Sequence, residues 1–343
     1  MQINIKEIRK ILCIKPRGIG DIVLSTIILD NLTNYFPSAK IDYLTETFAA
    51  PSVENNPLVN KVLTMEKTEL PLWVALRIRK ERYDMVLDLW SNPRSAQITF
   101  LSGIKYRVGY GYRGRKYAYN IRATSEKGTG HSAEHNLEIL KPIGVPVISK
   151  KVYYYVNEAD NLFGSEFRKN NFGENDVVIG IIPAGGWPSK RCDAVKWVEI
   201  CRAINEKYGT KFLILWGPGD EEDSIYIEQH LPDMAVLAPE TKLPTMAGMI
   251  NNCDIIIAND SGPMHIAAAL GKPTLGIFGP TNPKNHGPYS PVSDYVYKED
   301  LFCIICNKLE CPFHHECMLE LPVEKVLEKI ENIGRDFLSV PKF

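Results

Sequence analysis

The sequence predicts an α/β protein built from two doubly wound domains, each with a parallel sheet. The chain has 343 residues, which exceeds one ordinary domain. Short β-branched runs alternate with longer segments of helical period, and this alternation restarts near residue 177. In such a fold, each domain has its ligand crevice at the carboxyl ends of its strands. We therefore expect chemistry in the loops that follow the strands.

The elements follow from the period of the apolar residues. In the first series the predicted strands are residues 11–14, 41–44, 61–65 and 85–90, and the predicted helices are 22–35, 70–82, 92–101 and 135–143. In the second series the strands are 177–182, 212–216, 254–258 and 274–278, and the helices are 194–207, 243–251 and 264–270. We expect an N-terminal domain at 1–155, a linker at 156–176 and a C-terminal domain at 177–343. A final amphipathic helix at 323–338 would pack on either domain.

Composition and charge exclude several classes of protein. Hydrophobic residues make up 45% and charged residues 24% of the chain, which excludes wholesale disorder and fibrous classes. There are 40 Lys and Arg against 41 Asp and Glu, so a global positive field that coats nucleic acid is not expected. The start carries no signal-peptide pattern, and no apolar run reaches about 18 residues. We expect a cytoplasmic protein.

The loop after the first strand reads Arg17-Gly18-Ile19-Gly20-Asp21. Its glycines let the backbone approach a ligand, and Asp21 would lie near a helix N-terminus. Asp21 is either an N-cap in a tight turn or a general base at the mouth of the crevice. The loop lacks the third glycine of a dinucleotide fingerprint, and the chain has no Gly-Lys-Ser or Gly-Lys-Thr, so neither NAD binding nor a P-loop is predicted.

Two loops of the second series carry groups suited to a phosphate. In the first loop Gly185 and Gly186 precede Lys190 and Arg191. Either this loop wraps a phosphate through its backbone amides and Lys190, or its two cations are simply solvated. The stretch Asn259-Asp260-Ser261-Gly262-Pro263-Met264-His265 starts a helix whose open amides favour an anion. The alternative there is an N-cap followed by a core histidine.

Two further stretches are unusual in composition. Residues 105–122 hold six Lys or Arg, five Tyr and no acid, which favours a polyanionic ligand over a solvated basic loop. Cys303, Cys306, Cys311 and Cys317 lie close together with His314 and His315 between them. Three interpretations stay open: a structural metal site, reduced thiols that pack in the fold, or disulfides. In each case the role of the cluster would be structural.

Together the loops form an ordered set of motifs. They are Gly20-Asp21-Ile22-Val23-Leu24-Ser25-Thr26, residues 183–191, Gly217-Pro218-Gly219-Asp220, the stretch from Asn259 to His265 followed by Ala267-Ala268-Ala269-Leu270-Gly271-Lys272-Pro273, and Phe278-Gly279-Pro280-Thr281. Over nearly the whole chain this set resembles glycosyltransferase family 9, the ADP-heptose:lipopolysaccharide heptosyltransferases. The resemblance implies a GT-B fold: two facing Rossmann-like domains, the N-terminal one for the acceptor and the C-terminal one for the nucleotide sugar.

The resemblance also implies roles for residues at matching positions. Asp21 matches the family's proposed catalytic base, and Lys190 matches the lysine that contacts the donor phosphates. Asp220 falls where the family usually has an acidic residue near the donor ribose, although the neighbouring Glu221 and Glu222 leave open which of the three acids matches that position. The expected donor-binding residues are Gly185, Gly186, Lys190, Asp220, Asp260, Ser261, Gly262, Pro263 and His265, and the expected acceptor-binding residues are Arg17, Gly20, Arg94, Arg113 and Arg115.

The implied reaction is transfer of a heptose from ADP-heptose to the lipopolysaccharide inner core with inversion. Glycosyl transfer needs a base for the acceptor hydroxyl and a group that stabilises the departing diphosphate. Many glycosyltransferases hold a metal with Asp-x-Asp, and this sequence contains no such motif. We therefore expect no metal and no cofactor. By analogy the acceptor is the lipid A-linked core, which places the protein peripherally on the inner face of the inner membrane.

Several other functions remain open. Ile27 stands where the family usually has Pro, and Cys192 stands where an aromatic residue is common, so another nucleotide sugar or acceptor is one alternative. A GT-B sugar-nucleotide epimerase is a second, and the basic stretch argues mildly against it. A nicotinamide-dependent oxidoreductase would need the missing glycine fingerprint. A module that binds nucleic acid or a membrane through residues 105–122 leaves the other loops unexplained, and we expect no nucleic-acid partner.

Overall fold

Residues 7–112, 114–124 and 130–338 are described by a computed structural model. The chain forms two units, residues 1–155 and 156–343, and each has its own sheet. In the described ranges, no helix has both the length and the apolar character needed to cross a bilayer.

The N-terminal unit is built on a parallel sheet. Its strands are β1 (Lys10–Ile14), β2 (Lys40–Glu46), β3 (Lys61–Met65), β4 (Met85–Asp88), β5 (Tyr106–Tyr110) and β6 (Ile121–Ala123), in the order β3-β2-β1-β4-β5-β6. The helices are α1 (Ile19–Ser25), α2 (Leu29–Tyr35), α3 (Pro71–Glu81), α4 (Pro93–Ser102) and α5 (Ser132–Leu137), with 3-10 turns at Thr26–Ile28, Thr47–Ser52, Arg115–Ala118 and Glu138–Ile143. The strand order is that of a doubly wound sheet.

The core of this unit forms where the sheet meets its helices. Leu12 and Ile14 of β1 are buried in one cluster with Val74 and Ile78 of α3 and Ile98 of α4. The period of the apolar residues on α3 places both of its core residues on one face.

The C-terminal unit repeats this plan. Its strands are β7 (Val178–Ile182), β8 (Lys211–Ile214), β9 (Ala235–Leu237), β10 (Ile255–Asn259), β11 (Thr274–Phe278) and β12 (Ser293–Tyr297), in the order β12-β11-β10-β7-β8-β9. The helices are α6 (Glu158–Asn171), α7 (Ala194–Tyr208), α8 (Glu221–Gln229), α9 (Leu243–Asn251), α10 (Gly262–Ala269), α11 (Pro283–His286), α12 (Glu316–Leu319) and α13 (Val323–Ile333), with a 3-10 turn at Pro188–Lys190. Trp197 of α7 and Ile330 of α13 are buried together in its core.

Three predicted elements differ from the structure. The helix predicted at 22–35 is interrupted by a 3-10 turn, where the hydroxyls of Ser25 and Thr26 donate to backbone carbonyls three residues earlier and compete with the helix pattern. Residues 156–176, expected as a linker, contain helix α6, which packs on α9. The final helix ends at Ile333 and packs on α7 and β12 of its own unit.

Candidate active site

Both sheets place their first and fourth strands side by side, and this arrangement positions the candidate loops. In the N-terminal unit Ile14 of β1 pairs with Asp88 of β4, and in the C-terminal unit Ile182 of β7 pairs with Ala258 of β10. These are the points where the strand order reverses, which is where open α/β sheets bind ligands. The loops that follow β1, β7 and β10 therefore lie at the two expected crevices.

Asp21 lies in the first turn of α1, and 45% of its side chain is exposed. Helix α1 begins directly after Gly18, whose φ is +84°. A Cβ at Gly18 would overlap the Asp21 carboxylate, so glycine at this position lets the carboxylate fold back over the turn. The sequence requirement for Gly18 is therefore linked to the placement of Asp21.

Lys15 is a neighbour of Asp21 that the sequence analysis did not identify. Its Nζ lies 3.9 Å from Asp21 Oδ1 and 5.0 Å from the centre of the Trp90 ring. It also donates to Asn136 Oδ1 at 3.4 Å. Burial lowers the pKa of Lys15, and the negative charges of Asp21 and Asp88 oppose this shift. The exposed carboxylate of Asp21 is thus accompanied by a buried cation.

Glu46 is a second residue that the sequence analysis missed. Its carboxylate is 6% exposed and lies 3.9 Å from Arg17 Nε and 3.4 Å from Arg94 Nη1. Arg94 also donates to the carbonyls of Glu66 and Glu69, so its guanidinium ties α4 to the loop before α3. Two predicted acceptor-binding residues are thereby brought together around one carboxylate, which orients them.

Gly20 and Arg115, two further predicted acceptor residues, lie apart from the Glu46 carboxylate. Gly20 is buried in α1. Arg113 lies outside the described residues. Arg115 begins a 3-10 turn, and its Nε is buried without a hydrogen-bond partner among the described residues.

The tyrosines of residues 105–122 are mostly structural. Tyr106, Tyr110 and Tyr119 are buried. The Tyr119 hydroxyl donates to buried Asp88 at 2.7 Å, and the Tyr110 hydroxyl donates to the His135 carbonyl at 2.6 Å. The expected ligand surface is therefore wrong for these three residues, because their rings serve as core on and beside β5.

Lys190 is the central cation of the C-terminal unit. It ends the 3-10 turn after β7, and its Nζ lies 2.6 Å from Asp260 Oδ2 and 4.4 Å from the centre of the Trp187 ring. The Thr281 hydroxyl donates to the same Asp260 oxygen at 2.6 Å. The two charged side chains are only 16% and 7% exposed. Trp187 and Thr281 were not predicted to hold this pair.

The start of α10 lies next to this ion pair. Ser261 is the N-cap, Gly262 and Pro263 open the helix, and His265 is buried in its first turns. The Ser261 hydroxyl is buried and has no hydrogen-bond partner among the described residues. At the end of β10, Asn259 Nδ2 donates to the Pro183 carbonyl at 2.7 Å. This bond joins the loops after β7 and β10.

Asp220, Gly185 and Gly219 lie around Arg191. Arg191 Nη2 lies 3.0 Å from Asp220 Oδ1, and Arg191 Nη1 donates to the Gly219 carbonyl at 2.9 Å. Burial raises the pKa of Asp220, and Arg191 opposes this shift. A Cβ at Gly185 would meet Arg191 Cγ at 2.8 Å, whereas a Cβ at Gly186 would meet nothing within 4 Å. Gly185 therefore has a packing role.

All eight cysteines are free thiols. Cys303, Cys306, Cys311 and Cys317 line one cavity, which also borders Ser189. Within the described ranges, no three His, Cys, Asp or Glu side chains are grouped so that they could bind one metal ion. The disulfide alternative is therefore not seen at this cluster.

The two units offer complementary chemistry. In the N-terminal unit, the carboxylate of Asp21 is exposed in the first turn of α1, where it can accept a proton as a general base does. In the C-terminal unit, Lys190 and the start of α10 can receive an anion, because a cation and open amides lie together there.

A family comparison covers most of the chain. The model of the family described as "Glycosyltransferase family 9 (heptosyltransferase)" matches residues 72–316. A lipooligosaccharide heptosyltransferase 2 from Haemophilus ducreyi is 25% identical over 348 aligned positions, which cover 94% of this chain and 99% of that protein.

Solved structures show the same fold. A glycosyl transferase family 9 protein from Veillonella parvula has a TM-score of 0.82 and 21% identity, covering 96% of this chain and 97% of its own. The ADP-heptose lps heptosyltransferase II of E. coli has a TM-score of 0.78 and 23% identity, covering 95% and 99%. With the two doubly wound sheets, these similarities confirm the GT-B fold class.

Proposed function

The chain belongs to glycosyltransferase family 9 and is a glycosyltransferase, and we propose that it moves a heptose from ADP-heptose to the inner core of a lipopolysaccharide. The single observation that carries this proposal is the ion pair of the C-terminal unit, in which Lys190 lies 2.6 Å from Asp260 at the start of α10. A diphosphate needs such a site, because a cation and backbone amides neutralise its charge together. The names of the relatives support the sugar and the acceptor.

The donor would bind through the loops after β7 and β10. Lys190 exchanges its contact with Asp260 for a phosphate oxygen, and the hydroxyl of Ser261, which has no partner among the residues that the structure describes, donates to the same diphosphate. Asp220 accepts from the ribose of the nucleotide while Arg191 holds its carboxylate. These contacts support our proposal that the C-terminal unit binds the nucleotide.

The transfer step is a single displacement with inversion. Asp21 takes the proton of the acceptor hydroxyl, whose oxygen forms a bond to the anomeric carbon. The bond between that carbon and the diphosphate oxygen breaks, and ADP leaves with the electron pair. Lys190 stabilises the charge that develops on ADP, so this chain's own residues take the place that a metal occupies in other glycosyltransferases.

The acceptor would bind to the N-terminal unit. Arg17 and Arg94 are held by Glu46 and present positive charge to a phosphorylated, anionic core. Arg115 and the neighbouring Arg113 are further candidates for this contact. Because the inner core is linked to lipid A, we place the reaction at the inner face of the inner membrane.

The substrate assignment is tested by direct turnover. The protein is incubated with ADP-heptose and a truncated lipopolysaccharide core, and ADP release is measured together with the mass of the product. We expect ADP release that depends on the acceptor, an added heptose, and the same rate with or without EDTA. Turnover of only another nucleotide sugar would overturn the substrate, and loss of activity in EDTA would overturn the metal-independent mechanism.

A further inference from the structure

We propose that His315 is a positioning residue that holds Lys190 in the donor site. This inference rests on the role of Lys190 proposed above. His315 lies at the end of the cysteine-rich loop, far along the chain from Lys190, and none of the transfer chemistry described above uses it. Its imidazole contacts residues on both sides of Lys190.

The contacts of the imidazole are short and specific. His315 Nε2 lies 3.0 Å from the carbonyl oxygen of Ser189, the residue directly before Lys190. His315 Nδ1 lies 3.0 Å from Asp193 Oδ2, at the N-cap of α7. One ring therefore links the two ends of the short segment that carries Lys190.

The loop before His315 adds further bonds to the same segment. The Ser189 hydroxyl donates to the Lys308 carbonyl at 2.6 Å, and the Ser189 amide donates to the Leu309 carbonyl at 3.2 Å. The amide of Asn307 donates to the carbonyl of Pro280, the residue before Thr281, at 2.8 Å. The loop thus supports both sides of the Lys190–Asp260 pair.

The protonation of the imidazole follows from its partners. Both partners, a carbonyl oxygen and a carboxylate, accept hydrogen bonds, so the ring makes both bonds at once only when each of its nitrogens carries a proton. In agreement, the hydrogen bond to Asp193 raises the pKa of His315. His315 also has a φ of +61°, a conformation that most side chains disfavour. The fold keeps this strained residue where its ring can bridge Ser189 and Asp193.

Two substitutions separate the two hydrogen bonds. The amide nitrogen of Gln is as many bonds from the backbone as Nε2 is, so His315→Gln can keep the bond to Ser189. The amide nitrogen of Asn corresponds to Nδ1, so His315→Asn keeps only the bond to Asp193. Asn also tolerates the left-handed conformation better than Gln does, so His315→Asn should be the more stable variant.

The test measures turnover, donor affinity and thermal unfolding of both variants in the full chain. We expect kcat of His315→Asn to fall about tenfold, because small displacements of catalytic groups are costly. We expect His315→Gln to stay within about threefold of the unchanged protein, and the KM for the acceptor to stay constant in both. His315→Asn should therefore be the more stable of the two variants and the less active one.

Each outcome has a distinct meaning. If both variants lose kcat in proportion to their unfolding temperature, His315 is only structural and the proposal is wrong. If His315→Asn turns over normally while Lys190→Met is impaired, this inference fails and the proposed function stands. If Lys190→Met is itself unimpaired, the proposed function fails.

Discussion

Replacing Lys190 by methionine removes the cation of the proposed donor site while keeping most of the side-chain volume. A hydrogen bond between a charged donor and a phosphate contributes roughly 1.5–3 kcal/mol. Its loss corresponds to a rise in the Kd for ADP of roughly tenfold to a hundredfold. The substitution also leaves the carboxylate of Asp260, which is 7% exposed, without its cation but with the Thr281 hydrogen bond, at a cost of about 3 kcal/mol in unfolding free energy.

The assay is calorimetric titration of ADP into Lys190→Met, with urea unfolding of the same sample. Lys207→Met is the matched control, because Lys207 pairs with Glu331 on the surface of the same unit. We expect the control to bind ADP normally and to unfold almost normally. Adding Asp260→Asn to Lys190→Met should restore part of the stability without restoring ADP affinity. If Lys190→Met binds ADP within twofold of the unchanged protein, the donor assignment is wrong.

Two further predictions concern stability. The hydrogen bond to Asp193 raises the pKa of His315, so the contribution of the protonated imidazole to folding stability is fully present below about pH 6.5 and is lost as pH rises through the folded-state pKa. Between about pH 6 and pH 9 the unfolding temperature should therefore fall more in the unchanged protein than in His315→Asn. Parallel curves of unfolding temperature against pH would contradict this prediction. A Cβ at Gly248 of α9 would overlap the Asp160 carbonyl of α6, so Gly248→Ala should cost about 1–3 kcal/mol in urea unfolding, whereas Gly186→Ala, which meets nothing within 4 Å, should be near neutral.

The doubly wound fold was predictable because central parallel strands are buried on both faces and read as continuous apolar runs. The run Val178–Ile182 is the clearest case, and all five of its residues are buried. Helix α6 was missed because most of its residues are polar and Gly164 is its only buried residue, so few apolar residues mark it in the sequence. Strand β5 was missed because its tyrosines were interpreted as ligand contacts, whereas they pack in the core.

The candidate loops were predictable because glycines and charges directly follow buried strands. Their partners were not, because they come from elsewhere in the chain. Glu46, at the end of β2, approaches Arg94 of α4, and His315 approaches Ser189 from a loop more than a hundred residues later. A sequence indicates which residues can ionise, but the packing of distant elements decides which partner each of them contacts.

The catalytic role of Asp21 is tested most directly by the rate of heptose transfer in Asp21→Asn. This substitution keeps the size of the side chain and removes the base. Asp30→Asn is the control, since Asp30 accepts a hydrogen bond from Tyr153 in the same unit and has no role in the proposed reaction. We predict that Asp21→Asn loses roughly 10²–10⁴ in kcat while its Kd for ADP is unchanged. Transfer by Asp21→Asn at the rate of the Asp30→Asn control would contradict the role of Asp21 as the catalytic base.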